Sequence, residues 1–312
     1  MFTVIIPLYN KSGHILKCVH SVLSQTYSQF ELIIVNDGST DDSLNEIEQI
    51  KDERVRVFSQ QNKGVSSARN NGVKEARYNH VAFIDADDWW DPHFLEEMKG
   101  LIEKYPDADM YGSNFYIVKN EINHSSTVGV DKDFKDGYID YCEVYAKTFC
   151  VPINCSFVVV PKSIFQTEHG FKSELKYGED FDLWIRIALK YKVAYLNKFL
   201  AYSNQDIHSS NRALGKNKLY TKEAYFIFNL SYLDSYEAQN KQLKKLLDGL
   251  RVRSLLRYYL SKTYVDEVKA LLLKVNFNQQ PMYYRLIYSI PLPIVKLYFT
   301  FIRIGSKIKN SL

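Results

Sequence analysis

The stretch VAFIDADDWWDP, residues 81–92, joins a short apolar run to a cluster of acidic residues. Val81–Ile84 has the length and composition of a buried β-strand. Asp85 and Asp87 follow where that strand would end, and two carboxylates this close are unfavourable in a buried site unless a cation joins them. Oxygen ligands suit Mg²⁺ or Mn²⁺, and a diphosphate can supply the remaining ligands. The alternative is an acid-rich helix N-terminus.

Three earlier apolar runs share this strand character, and segments with helical spacing separate them: Thr3–Ile6, Leu32–Val35 and Val55–Phe58. Such strand–helix alternation, with nearly continuous apolar strands, predicts parallel pairing buried between helices. In open sheets of this kind, ligands bind beyond the carboxyl ends of the strands. We therefore expect functional residues directly after each run. Further strands are predicted at 110–118, 156–160, 193–196 and 200–203, and a helix at about 180–191.

Polar residues follow the first two strands. The segment PLYN, residues 7–10, places Tyr9 where its ring could stack on a base. The segment NDGSTDD, residues 36–42, places Asp37 where its carboxylate could accept an N–H group from the same base. The alternative for this second segment is a turn at Gly38 with a helix cap after it. These residues alone leave both interpretations open.

A third segment, QQNKGVSSARNNG at 60–72, places Gly64 before a helix whose first turns carry Ser66, Ser67 and Arg69. A helix N-terminus favours phosphate through its free N–H groups and its dipole. The spacing matches neither a Walker loop nor GxGxxG, so these residues alone do not identify the ligand.

Two later segments carry candidate reactive groups. GEDFDLW, residues 178–184, puts Glu179 and Asp180 at the start of an apolar helix. An acid there would either cap the helix or act as a general base toward a hydroxyl. His208 lies in the polar segment HSSNR, where it would either be solvated or contact a metal–diphosphate group.

In this order, the segments resemble the inverting glycosyltransferases of family 2, which have the GT-A fold. The resemblance extends over the first 212 residues and rests on six blocks: VIIPLYNK (4–11), SVLSQTYSQFELIIVNDGSTDDS (21–43), NKGVSSARNNG (62–72), FIDADDWWDP (83–92), GEDFDLWIR (178–186) and HSSNR (208–212). It implies an α/β protein of the GT-A class, with a Rossmann-like, mostly parallel sheet flanked by helices. A helical C-terminal extension is predicted separately, from the Leu-, Tyr- and Lys-rich helical pattern after about residue 219.

The resemblance also implies a role for each matching residue. The residues that bind the nucleotide sugar would be the following: Pro7 and Tyr9 beside the nucleobase, Asp37 at the edge of the uracil, Arg69 at the nucleotide, and Asp85 and Ala86 near the ribose. Asp87 and His208 would hold Mn²⁺ or Mg²⁺ at the phosphates. Asp180 would be the catalytic base.

These roles imply metal-dependent transfer of a hexose or N-acetylhexosamine from a UDP-sugar to a hydroxyl of a glycan acceptor, with inversion. The basic tail described below suggests a lipid-linked acceptor, as in O-antigen, capsule or lipooligosaccharide assembly. One alternative is a sugar-1-phosphate nucleotidyltransferase, which would need an early Gly-rich phosphate loop that Leu8–Gly13 does not provide. The other is a non-catalytic nucleotide-sugar-binding module, against which the acids Asp85, Asp87 and Asp180 argue.

Charge is unevenly distributed along the chain. The 312 residues include 40 Lys and Arg against 36 Asp and Glu, whereas residues 241–312 hold 14 against three and contain LIYSIPLPIVKLYFTFIRI at 286–304. Two prolines and Lys296 interrupt that stretch, which favours an interfacial anchor on the inner face of the cytoplasmic membrane over a bilayer span. Packing on the catalytic domain and a homodimer interface are the alternatives. We place the boundary between the catalytic domain, 1–218, and this basic helical region, 219–312, near residue 218.

Composition limits the remaining classes. A charged content of 24% and an aromatic content of 14% exclude a disordered chain. The four cysteines form no CxxC pair, and the N-terminus looks like a strand and not like a signal peptide. We therefore expect a cytoplasmic protein with free thiols and no nucleic-acid partner.

Overall fold

A ten-stranded sheet forms the centre of the N-terminal part of the chain. The computed structural model describes residues 1–206 and 218–309, with side chains up to residue 300. The strands are β1 Phe2–Leu8, β2 Phe30–Asn36, β3 Val55–Ser59, β4 His80–Phe83, β5 Trp89–Trp90, β6 Met110–Lys119, β7 Ile122–Ser125, β8 Asp136–Ile139, β9 Val158–Pro161 and β10 Val193–Asn204. Their order is β3-β2-β1-β4-β9-β6-β10-β5, with β7 paired to β6 and β8 paired to β10.

The first four strands form a parallel block. β1 pairs in parallel with β2 and β4, and β2 pairs in parallel with β3. Every residue of β1 and β2 is buried, so both faces of the block are covered. Strands buried on both faces need apolar residues at successive positions, which explains the continuous apolar runs in the sequence. The predicted α/β class is confirmed.

The second half of the sheet mixes directions. β9 runs antiparallel between β4 and β6, and β10 runs parallel to β6. Six of the ten strands in the described part of the chain therefore point the same way. The two short strands expected at 193–196 and 200–203 are one strand, β10, whose register against β6 shifts between Leu196 and Ala201. That irregularity explains why the apolar pattern is interrupted there.

Seven helices accompany the sheet within the described residues up to 206: α1 Ile15–Leu23, α2 Ser43–Glu48, α3 Val65–Glu75, α4 Phe94–Lys104, α5 Tyr141–Thr148, α6 Lys162–Thr167 and α7 Glu179–Ala188. α1 buries one stripe of side chains at helical spacing: Ile15, Cys18, Val19 and Val22. α7 corresponds to the helix expected at about 180–191. Because β1, β2 and β4 run parallel, the loops that follow them leave the sheet at the same edge.

The chain divides into two compact units, Met1–Phe226 and Ile227–Leu312. The first unit continues past residue 218, where the sequence analysis places the boundary, because residues 224–226 pair with residues 176–177. Lys176 donates its N–H to the carbonyl oxygen of Ala224 at 2.8 Å, and Phe226 donates to that of Tyr177 at 3.1 Å. A polar, loop-like composition around residue 218 gives no sign of this pairing.

The second unit is helical: α8 Asp234–Gln239, α9 Lys241–Ser254, α10 Leu256–Ser261, α11 Val265–Leu273, α12 Met282–Ser289 and α13 Leu292–Lys309. Asn240 caps α9, accepting from the backbone N–H groups of Gln242 and Leu243 at 2.9 and 3.0 Å. α9 buries leucines at helical spacing: Leu243, Leu246, Leu247 and Leu250. This stripe supplies much of the unit's apolar core.

An arginine lies in the interior of the second unit. Arg251 is 1% exposed, and its two terminal nitrogens donate to the two carboxylate oxygens of Glu237 at 2.5 and 2.7 Å. Asp248 lies 3.4 Å from the same guanidinium. A planar guanidinium matches a carboxylate in this two-bond geometry, which makes the pair geometrically specific.

The apolar stretch at 286–304 falls in two helices. α12 ends at Ser289 and α13 begins at Leu292, with Pro291 between them. On α13 the side chains of Ile294 and Leu297 are each 57% exposed, whereas Val295 is buried. In the described residues, every helix is too short or too polar to cross a membrane.

Candidate active site

The loops that follow β1 and β2 are tied to each other. Asn10 donates its backbone N–H to the hydroxyl of Ser39 at 3.2 Å and accepts from the backbone N–H of Thr40 at 2.8 Å. Pro7 is buried within β1, whereas the next residue but one, Tyr9, is 45% exposed. The exposed ring therefore lies at the carboxyl end of the parallel block, where the sequence analysis expects a stacking surface.

Asp37 is enclosed by the segment that leads into α3. Its carboxylate accepts from the side chain of Gln60 at 2.6 Å and from the backbone N–H groups of Lys63 and Gly64, each at 2.8 Å. The residue is 2% exposed. Two carboxylate oxygens offer about four acceptor positions, and these three bonds occupy three of them. In this structure, Asp37 fixes the loop before α3. Gly64, in that loop, adopts φ 93°.

Arg69 joins two segments that are far apart in the sequence. One terminal nitrogen donates to Asp85 at 2.6 Å, and the other donates to Glu179 at 2.9 Å. The guanidinium also lies 5.2 Å from the ring centre of Phe171. Burial acts to lower the pKa of Arg69, but the carboxylates of Asp85 and Glu179 outweigh it and hold that pKa well above its ordinary value. This permanent cation fixes the end of β4 against the start of α7.

The acidic loop after β4 is held at several points. The Asp87 carboxylate pairs with the ammonium group of Lys11. Asp88 is buried, accepts from the hydroxyl of Ser156 at 2.5 Å, and accepts from the backbone N–H of Asn204 at 2.7 Å. Burial, followed by the neighbouring acids of the loop, raises the pKa of Asp88 well above its ordinary value. Asp88 thus fixes the loop through its buried side chain, whereas the side chain of Asp87 is 11% exposed.

The same loop is also fixed by Ser156, which lies just before β9. Ser156 accepts from the backbone N–H of Asp85 at 3.1 Å, and its carbonyl oxygen accepts from the indole of Trp90 at 2.6 Å. Ala86 is 2% exposed and Trp90 is 3% exposed. Ala86 therefore packs into the protein and does not present its side chain to solvent.

Asp180 stands in the first turn of α7. Gly178 precedes the helix with φ 78°, and a Cβ at that position would lie 2.1 Å from Phe226. Only glycine fits, because both the backbone angle and the space exclude a side chain. Burial, followed by the carboxylate of Glu179, raises the pKa of Asp180 to about 7, although Arg69 acts in the opposite direction. A carboxylate with this pKa is suited to accept a proton near neutral pH.

The acidic loop carries two carboxylates of the kind that can bind a divalent cation. Among the described residues, no three His, Cys, Asp or Glu side chains are grouped to hold an ion. Mg²⁺ commonly takes one or two protein carboxylates and completes its shell with water and substrate phosphates, so Asp85 and Asp87 fit that donor set. The ammonium of Lys11 pairs with Asp87 and would have to yield to the cation. His208 lies outside the described residues.

The structure brings Asp85, Arg69 and the Glu179–Asp180 pair together, and it places Asp87 beside them in the same loop. Lys11 and Ser156 belong to the same cluster, but the sequence analysis does not identify them. Lys11 stands inside the block VIIPLYNK, so a cation directly after β1 was a usable signal. Ser156 gives no comparable signal, because its place depends on β9 entering the sheet next to β4.

Two family matches cover most of the chain. Residues 80–294 match the family described as "Glycosyl transferase family group 2", and residues 3–155 match "Glycosyl transferase family 2". The first of these matches alone spans more than half of the chain. This chain belongs to glycosyltransferase family 2. The family predicted from the sequence blocks is therefore confirmed.

Relatives of this family 2 glycosyltransferase carry related names. It is 27% identical over 279 residues to an uncharacterized glycosyltransferase of Haemophilus influenzae, covering 85% of this chain and 76% of the relative. It is 26% identical over 233 residues to the chondroitin synthase of Escherichia coli, covering 74% of this chain and 32% of the relative. The chain spans 16% to 33% of the length of several other curated relatives, among them glycosyltransferase GlyA of Streptococcus pneumoniae.

Solved structures of TarS from S. aureus have the same fold. The crystal structure of TarS 1–349 in complex with UDP-GlcNAc matches with a TM-score of 0.70 at 17% identity, over 89% of this chain and 82% of TarS 1–349. A second structure of TarS 1–349, in complex with UDP, matches with a TM-score of 0.59 over 87% of this chain. The predicted GT-A class with a helical C-terminal region is confirmed.

Proposed function

We propose that this chain is a metal-dependent, inverting glycosyltransferase that moves a hexose or N-acetylhexosamine from a UDP-sugar to a hydroxyl group of a lipid-linked glycan. The proposed setting is assembly of a cell-surface polysaccharide such as an O-antigen, a capsule or a lipooligosaccharide. Chondroitin synthase and hyaluronan synthase among the relatives support a role in glycan synthesis.

One observation carries the proposal: the bonds from Arg69 to both Asp85 and Glu179. Through them, the loop suited to a metal–diphosphate lies against the helix start that carries Asp180. A displacement at a sugar carbon needs the residues that hold the donor and the base to lie close together. Positioning of this kind supplies much of the rate enhancement.

The donor is proposed to be a UDP-sugar. Crystal structures of TarS in complex with UDP-GlcNAc and UDP support a uridine nucleotide for a chain with the same fold. The exposed ring of Tyr9 offers a surface on which a base can stack, with Pro7 below it in β1. The remaining acceptor position on Asp37 can receive one N–H group from the edge of the base. Arg69 and the loop at Asp85 and Ala86 would then face the sugar–phosphate part.

The chemistry requires a proton acceptor and a stabilised leaving group. The oxygen of the acceptor hydroxyl attacks the anomeric carbon from the face opposite the diphosphate. Asp180 takes the proton from this hydroxyl as the attack proceeds. The bond from that carbon to the diphosphate oxygen breaks, UDP leaves, and the configuration is inverted. A divalent cation bound at Asp87 and the diphosphate, with His208 as a further proposed ligand, would neutralise charge on the departing UDP.

The acceptor side of the proposal rests on the second unit. Residues 241–312 are strongly basic, and α13 exposes Ile294 and Leu297 next to Lys296. Basic, apolar helices of this kind associate with anionic membrane surfaces. We propose that the segment 286–304 holds the enzyme at the inner face of the cytoplasmic membrane, where a lipid-linked acceptor would be present.

A thermal-shift panel tests the donor and the metal together. UDP, GDP, CMP, dTDP and several UDP-sugars are each added with Mn²⁺ and with EDTA. A ligand that binds only the folded state raises the melting temperature, and about 100 times its Kd stabilises by roughly 2.7 kcal/mol. We expect a shift confined to uridine nucleotides and dependent on Mn²⁺.

Matched variants locate that shift. Asp87→Asn should remove its Mn²⁺ dependence, whereas Asp131→Asn, which changes a carboxylate that is 88% exposed, should leave it intact. The absence of a shift with every nucleotide would contradict the proposed donor site.

A further inference from the structure

The second unit contains an apolar cavity of about 510 Å³ between α10, α11 and the helices that follow. Its lining is aliphatic and aromatic apart from two lysines: Tyr258, Tyr259, Lys262, Val265, Val268, Lys269, Leu272, Leu273, Phe277, Tyr288 and Leu292. Apolar cavities of a few hundred cubic ångströms are the usual form of small-ligand sites. All of its lining residues belong to the second unit, and none of them belongs to the candidate active site.

The apolar lining is open to solvent at its edge. Leu273 is 78% exposed and Val265 is 56% exposed, although both belong to the lining. Another part of the lining is held by contacts, because the ring of Tyr288 lies 5.0 Å from that of Tyr259 and its hydroxyl donates to the carbonyl oxygen of Val252. Exposed apolar side chains beside a formed wall indicate a binding surface for an apolar group.

The charged side chains that line this cavity have one sign. Lys262 and Lys269 are its charged lining residues, both are exposed, and no acidic side chain lines it within the described part of the chain. Lys262 ends α10 in the left-handed conformation, with φ 58°, which is usually left to glycine. A lysine beside the cavity therefore has a backbone conformation that glycine adopts more easily. An apolar ligand with an anionic head group would be complementary both to the apolar lining and to the two lysines.

We propose that this cavity binds the hydrocarbon chain of a lipid phosphate, with the phosphate group between Lys262 and Lys269. The chain of the lipid would cover the side chains of α11 that are now exposed, such as Leu273. Binding of this kind needs neither a nucleotide nor a metal, so it can be measured apart from the proposed transfer and can hold or fail independently of it.

The test uses dodecyl phosphate below its critical micelle concentration, titrated calorimetrically into the full chain without nucleotide. Dodecyl maltoside carries the same hydrocarbon chain without the phosphate, and inorganic phosphate carries the charge alone. We expect saturable binding of one dodecyl phosphate per chain, with at least tenfold weaker binding of either control. Equal binding of dodecyl maltoside, or no binding of dodecyl phosphate, would overturn the proposal.

Two variants separate the cavity from general charge attraction. The double variant Lys262→Ala/Lys269→Ala should weaken dodecyl phosphate binding about tenfold, whereas Lys241→Ala/Lys245→Ala removes the same charge from α9 and should not. Leu272→Trp fills the cavity and should abolish binding while the melting temperature is retained. If both double variants weaken binding equally, the attraction is unspecific and the cavity is not the site. The lysine variants, which change exposed residues, decide the matter even if Leu272→Trp does not fold.

Discussion

Arg69 in the first unit and Arg251 in the second are both almost fully buried and both bonded to carboxylates. Their partners differ in exposure. Asp85 is 39% exposed in its side chain, whereas Glu237 and Asp248 are 8% and 1% exposed. A ligand can reach Arg69 through a partner that is exposed to solvent, whereas the partners of Arg251 are nearly buried. The exposure of the carboxylate therefore separates a candidate site from a structural ion pair.

Removing each arginine should separate the two roles. We expect Arg69→Met and Arg251→Met each to lower the free energy of unfolding by about 3–5 kcal/mol, because each leaves a carboxylate without its buried partner. Only Arg69→Met should also remove the thermal shift produced by UDP. Urea unfolding, followed by the nucleotide panel at a temperature where both variants are folded, measures both effects.

Arg54→Met is the control for that pair, because Arg54 and Asp52 are both partly exposed. Its unfolding free energy should change by less than about 1 kcal/mol. If Arg251→Met, at a temperature where it is folded, also lost the thermal shift produced by UDP, the proposed difference between the roles of the two arginines would be wrong.

Asp180 directly follows Glu179, one of the two carboxylates bonded to Arg69, and we expect its substitution to affect only the reaction. We expect Asp180→Asn to lower kcat by about 10³-fold, since general base catalysis contributes on that order. UDP binding should persist, because the amide keeps the shape of the carboxylate. Release of UDP from the donor, with a panel of glycan acceptors, measures the rate. A variant that turns over at the normal rate would rule out Asp180 as the base.

The raised pKa of Asp180 predicts the pH profile. The base must be deprotonated to accept a proton, and burial with Glu179 raises its pKa to about 7. The value of kcat/KM, which reports the free enzyme, should therefore rise with pH, by about tenfold between pH 6 and pH 8. Asp180→Glu, which keeps a titrating group, should shift the midpoint of the rise. A flat profile across this range would contradict the assignment.

Lys11 should produce the smallest effect. Its ammonium pairs with Asp87, so it competes with a divalent cation for the same carboxylate. We expect Lys11→Met to strengthen Mn²⁺ binding by about fivefold in the absence of nucleotide, the factor that an ion pair of roughly 1 kcal/mol supplies. Paramagnetic resonance of free Mn²⁺ measures it. Lys17→Met, which removes an ammonium lying over the ring of Trp89, serves as the control and should leave Mn²⁺ binding unchanged.

The parallel block could be predicted because each of its strands is an apolar run followed by polar residues. That pattern places Tyr9, Asp37 and Asp85 at one edge of the sheet before any side-chain contact is known. The hydrogen bonds of Asp37 to the backbone at Lys63 and Gly64 could not be read from the same pattern, because they depend on the conformation of a loop.

The remaining parts depend on contacts between residues far apart in the sequence. Ser156 enters the cluster only because β9 pairs antiparallel with β4, and strand–helix alternation does not predict an antiparallel insertion. The second unit shows the same limit. Its basic charge and its helices are visible in the sequence, but the cavity beside Lys262 arises from how four helices pack, which no local pattern specifies.

The hydrogen bonds of Asp88 also set an order of events during synthesis. Its partners Ser156 and Asn204 follow it by 68 and 116 residues. At translation rates of about 5–20 residues per second, Asn204 leaves the ribosome roughly ten seconds after Asp88. The parallel block, whose four strands end by Phe83, can assemble during that interval, but the acidic loop beside it cannot. The nascent chain can therefore complete its scaffold early, whereas the acidic loop, which we propose holds the metal–diphosphate, forms only when almost the whole first unit has been made.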